Sequence, residues 1–167
     1  MNAQKYFDNM VVPTYREFER DRLYQRRALL ASLVLYHLLD YVNADTAGTK
    51  GTLGALKQKT GERCAAFKVV KAIANGTKHV KLRGPDQFSP DQIAAVAGGT
   101  VLDHREIENG TIREFKTERP MLEFKNKRHF VDVVLFATLR YLADEFGLCG
   151  ADNIELPMQL VYKDTPA

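Results

Sequence analysis

The sequence predicts a mainly α-helical fold: a helical bundle with a small antiparallel β-hairpin or meander inserted before the last long helix. Two observations carry this. The stretches 28–39 and 129–146 are strongly apolar and long enough for core helices. Between them, at about 100–125, the pattern changes to strand-like runs around Asn109-Gly110, a hairpin-turn dipeptide. A length of 167 residues suits one domain with a proper core, spanning 1–167 with the β insertion inside it.

Residues 1–12 read as a lead-in without a clear signal. Pro13 precedes Thr14, and Thr14-x-x-Glu17 matches a capping box. A long helix over about 15–42 is expected to follow. Its first half alternates Tyr15, Phe18 and Leu23 with arginines. Its second half is apolar nearly all round, which implies burial on several sides. The stretch 43–61 reads as a Gly/Thr-rich loop with one helical turn at 53–59. Gly48, Gly51 and Gly54 do not make a phosphate loop, because GxxxxGK[ST] is absent and no strand precedes them.

A second helix is expected over about 62–80. At 100° per residue it has two faces. Ala66, Val69, Val70, Ile73, Thr77 and Val80 form the packing side. Lys68, Lys71, Asn75 and His79 look outward, with Ala72 beside them. Gly76 costs roughly 1 kcal/mol against Ala in a helix interior. Ser89-Pro90 starts a short helix that ends at about Ala97, before Gly98-Gly99. The hairpin follows as 100–107 and 111–118. Pro120 breaks it, and 121–125 adds a third strand. The last helix, 129–146, turns Val131, Val134, Leu135, Leu139, Leu142 and Phe146 inward and stops at Gly147. The tail at 154–162 is apolar enough to lie on the body.

Net charge is +3, but it is unevenly spread. Residues 1–43 carry +1, residues 44–83 carry +7 and residues 84–167 carry −5. The basic excess surrounds the second helix, where it can attract phosphate or pair with the acidic C-terminal half. Cys64 and Cys149 form no CxxC pair, which suggests neither a zinc site nor a disulfide framework. A reducing cytoplasm is the expected location. No signal-like core and no membrane-length apolar run occur, so no membrane partner is expected.

The candidate chemistry is sparse. His37, His79, His104 and His129 form no compact zinc pattern, and Asp103 and His104 would face opposite sides of a strand. No metal and no cofactor are expected. There is no GxSxG elbow. His37 and Asp40 sit one turn apart, as a satisfied core histidine with its partner or as part of a cleft shared with His79. The candidate binding face is Lys68, Lys71, Asn75, Lys78 and His79, with His79 as the one candidate catalytic residue.

A helix ending in Asn75-x-x-x-His79 within a small bundle resembles the HEPN superfamily of nucleotide- and RNA-associated domains. The resemblance covers about 15–82 and 130–146. It implies an all-helical bundle, commonly dimeric, with the motif near a cleft between protomers, and hence a homo-oligomer here. Active members are metal-independent ribonucleases; others bind nucleotides or partners. The family's Arg position falls on Ala74, Ile73 or Ala72, so this chain lacks it. Lys71 or Lys78 would have to supply the cation, and an ammonium does not replace a bidentate guanidinium. The resemblance therefore implies a cytoplasmic, non-catalytic domain binding RNA, a nucleotide or a protein. A ribonuclease using His79 and a structural homodimer are the alternatives.

Overall fold

The computed structural model describes residues 1–46, 52–78, 97–108, 111–151 and 154, with backbone alone at 77–78 and 97–118. In chain order these form α1 (Ala3–Tyr6), a π-helical turn (Phe7–Val11), α2 (Val12–Arg20), α3 (Gln25–Asp45), α4 (Leu53–Arg63), α5 (Ala65–Lys78), β1 (Ala97–Glu108), β2 (Thr111–Phe124), β3 (Lys127–Phe130) and α6 (Val131–Phe146). The fold is a helical bundle with an antiparallel β meander before the last helix, in strand order β1-β2-β3.

The N-terminal segment belongs to the core rather than leading into it. Tyr6, Phe7, Val11, Tyr15 and Phe18 are all buried. Asn2 caps α1 by accepting from the Lys5 N–H at 2.9 Å, and the Ala3 N–H reaches Asp45 at the far end of α3. The helix runs on through Pro13, so Thr14 is not its cap. Proline lacks an N–H, and its ring crowds the carbonyl four residues back. The π-helical turn lies directly upstream, where a wider turn accommodates that misfit.

The expected single helix over 15–42 is two helices. The chain turns at 21–24, where Asp21 leaves helical geometry at φ −153°. No glycine or proline marks the place. A tertiary contact stands there instead: Arg22 points toward Asp132 of α6, with Nη1 to Oδ2 at 3.9 Å. Arg119 of β2 donates to the same Asp132 oxygen through Nε at 2.8 Å and through Nη2. Arg119 and Asp132 are 3% and 2% exposed, so this cluster locks the sheet, α2–α3 and α6 together. A buried charge of this kind persists only when paired.

α3 contacts every other described helix and is the hub of the bundle. Ala28, Ala31, Leu35, Leu38, Leu39 and Val42 are buried, and the Ser32 hydroxyl is satisfied by the Ala28 carbonyl at 2.8 Å. The expected loop at 43–61 is largely helical. α3 continues to Asp45, and α4 is a full helix capped by Thr52, which accepts from the Ala55 N–H. Glu62 and Arg63 therefore close α4, and α5 starts only at Ala65, after Cys64. Phe67, Val69, Val70, Ala72, Ile73 and Ala74 of α5 are buried.

Ala97, Gly98 and Gly99 open β1 rather than ending a helix; the expected helix over 90–96 lies outside the described residues. Glu108 pairs with Thr111, so the hairpin closes with a two-residue connection. Its Asn109-Gly110 lies outside the described residues. β2 continues through Pro120 to Phe124 instead of breaking. The reason is in the register. Ala97↔Pro120 is the last pair with β1, and Met121↔Phe130 is the first with β3, so the missing N–H falls where β2 changes neighbour. Accordingly the third strand is Lys127–Phe130, and α6 begins at Val131 rather than 129. Val131, Val134, Leu135, Leu139 and Leu142 face the core, while Phe146 is half-buried. Gly147 ends α6 in the left-handed region at φ 63°. Ile154 is buried; the rest of the expected tail contact lies outside the described residues.

Candidate functional site

Helical spacing assembles the main cleft. Gly54, Lys57, Gln58, Gly61 and Glu62 recur along one face of α4, and Lys68, Lys71, Ala72 and Asn75 recur along one face of α5. The two faces meet in a cleft of about 480 Å³, closed at one side by Phe124 and Lys125 of the β2–β3 turn. Gly54 and Gly61 present no side chain to it. A Cβ at either would make only ordinary van der Waals contacts, so these glycines leave room rather than relieve a clash.

The cleft is basic. Four lysines line it against one carboxylate, Glu62, which accepts a hydrogen bond from Gln58 Nε2 at 3.0 Å. Lys68 and Lys71 are exposed and make no ion pair among the described residues. Asn75 is half-buried beside them. The structure thus brings together Lys68, Lys71 and Asn75 of the sequence-predicted face. The Lys78 side chain and His79 lie outside the described residues, as does any cleft shared by His79 with His37 and Asp40.

His37 and Asp40 line a second, smaller pocket of about 290 Å³ with Tyr6, Tyr41 and Ala44. Tyr6 and Tyr41 stack with centroids 4.1 Å apart. His37 Nδ1 and Asp40 Oδ2 are 2.5 Å apart. Asp40 also accepts from Lys57 Nζ through Oδ1 at 2.6 Å. Desolvation pushes the Asp40 carboxyl up, but the bonds from Lys57 and His37 outweigh it and hold the group below its ordinary value. As an ionised carboxylate only accepts, His37 carries a proton on Nδ1 and donates it to Asp40.

Lys57 is the residue the sequence reading missed. It belongs to both places: it lines the α4–α5 cleft, yet its ammonium lies on Asp40 and over the Tyr36 ring, 3.9 Å from the centroid. Its side chain is only 11% exposed. No local signal in the sequence marks it, because its partner, Asp40, comes from α3.

Among the described residues there is no group of three or more potential metal ligands. No described helix is long and apolar enough to cross a membrane. Cys64 is buried, Cys149 is exposed, and both are free. Comparison with family models, with curated proteins and with solved structures gives no match.

Proposed function

We propose that this chain is a non-catalytic, HEPN-like RNA-binding domain that takes backbone phosphates in the α4–α5 cleft. The observation that carries the reading is that Lys68, Lys71 and Asn75 open on one basic cleft together with Lys125 and the ring of Phe124. Ammonium groups supply the sequence-independent attraction to phosphate. An amide such as Asn75 can bond a ribose or base edge, and an aromatic ring offers a face for stacking. The non-catalytic character follows from what stands where the family's guanidinium would be. Ala72, Ile73 and Ala74 are all buried, so that stretch of α5 serves the core.

The test is the salt dependence of oligouridylate binding to the whole chain. Each lost phosphate contact should lower the magnitude of the slope of log K against log salt by about 0.7. A Lys68→Ala/Lys71→Ala variant should therefore bind more weakly with a visibly flatter slope. An unchanged slope would remove the cleft from consideration. Cleavage of the RNA in EDTA would instead favour a ribonuclease, and a tight homodimer without RNA affinity would favour a protein contact.

A further inference from the structure

We propose that Lys57 is shared between Asp40 and a ligand phosphate, and that protonation of His37 drives the exchange, so that RNA binding in the cleft takes up a proton. This rests on the RNA-binding reading above. The geometry behind it is a three-residue chain joining two clefts. Asp40 has two oxygens and spends one on each partner: Oδ1 on Lys57 at 2.6 Å and Oδ2 on His37 at 2.5 Å. Lys57 lines the α4–α5 cleft, and His37 lines the smaller pocket and is 35% exposed. One carboxylate therefore stands between a lysine that lines the ligand cleft but turns its ammonium onto Asp40 and an imidazole that is 35% exposed.

With a neutral imidazole, Asp40 has Lys57 as its only full counter-charge among the described residues. Withdrawing Lys57 toward a ligand would then leave a partly buried carboxylate uncompensated, which is costly. With His37 protonated, Asp40 keeps a cationic partner after Lys57 leaves. The ammonium is then available to the ligand. Linkage makes the effect reciprocal: if the proton favours phosphate, phosphate favours the proton by the same factor. Among the described residues, the groups facing the pair are Lys57 from α4, Tyr6 from α1, and Tyr36 and Tyr41 from α3; α5 contributes the apolar Phe67, stacked on Tyr36. Tyr6 stays neutral, since burial, then Tyr41 and Asp40, push it up to about 12. The imidazole is thus the one group of this set that can gain a proton while keeping its place on Asp40 Oδ2.

The experiment measures binding of a short oligouridylate, whose phosphodiesters and bases keep one charge state, to the full chain at fixed salt at roughly pH 8 and pH 5.5. Wild type should bind about fivefold or more tighter at the lower pH. Calorimetry in two buffers of different ionisation enthalpy should show proton uptake on binding. His37→Gln should abolish both the pH dependence and the uptake. Asp40→Asn should release Lys57 at all pH values and raise the affinity at pH 8 toward the acid value. Lys57→Met keeps an apolar stem and removes the ammonium; it should bind weakly with no pH dependence, and it decides the matter should Asp40→Asn fail to fold. A wild type with equal affinity at both pH values overturns the proposal, as does a pH dependence retained in His37→Gln or Lys57→Met. Those results leave the cleft reading standing if Lys68→Ala/Lys71→Ala still weakens binding. Absence of oligouridylate binding by wild type overturns both.

Discussion

Leu33 and Leu35 lie two positions apart on α3 in the same apolar run, and sequence alone ranks them equally. The structure separates them. Leu35 is fully buried at the hub, while Leu33 keeps part of its surface in water. Leu35→Ala should cost about 2–5 kcal/mol, because it loses both transfer energy and packing. Leu33→Ala should cost about 1 kcal/mol. Urea melts of the two variants check this, and equal losses would mean that α3 is not oriented as described. The same limit shows at other residues. The outward set Lys68, Lys71 and Asn75 was readable, because helical periodicity alone places them on one face. Arg119, Asp132 and Lys57 were not. A buried or half-buried charge leaves no local trace in the sequence, since its partner comes from a distant element: Arg119 finds Asp132 in α6, and Lys57 finds Asp40 in α3.

At the level of elements, the bundle and the meander were legible because long apolar helices and a hairpin turn signal are local features. The boundaries were not. The turn at 21–24 contains no breaker and lies against the Asp132–Arg119 pair, toward which Arg22 points. The β2–β3 turn was missed for a different reason. Its residues Lys125 and Asn126 have φ of 52° and 60°, the geometry of a tight two-residue hairpin, without the usual glycine. Asn tolerates this region, whereas Lys at positive φ costs roughly 1–2 kcal/mol. That cost falls on a lysine which lines the cleft. Strain kept at a binding position is intelligible if the side chain is needed there. Lys125→Gly should therefore raise the free energy of unfolding by about 1 kcal/mol while weakening oligouridylate binding. Paired denaturant melts and binding titrations test the split. A variant that loses both stability and affinity would show instead that Lys125 serves the packing of the turn.

For the whole molecule, the decisive feature is how the cleft is assembled. One wall is α4, the second is α5, and the rim comes from the β2–β3 turn, far along the chain. α3 ties these pieces together: it packs on α4, α5 and α6, and α6 in turn contacts β2 and β3. A ligand bridging α5 and the turn therefore touches segments whose positions both depend on the bundle. Binding confined to the folded state stabilises it by RT ln(1 + [L]/Kd), about 2.7 kcal/mol at a hundredfold excess over Kd. If the meander and the bundle unfold as one unit, that full increment should appear as a single upward shift of the melt. The chain lacks tryptophan and has seven tyrosines, so far-UV circular dichroism and tyrosine fluorescence provide two views of the same transition. Both should move together with oligouridylate, and both should move less in Lys68→Ala/Lys71→Ala at the same ligand concentration. Two separated transitions, with one shifted by ligand, would mean that the meander opens on its own. The cleft would then owe its shape to α4 and α5 alone, with Lys125 and Phe124 folding over the ligand only after it has bound.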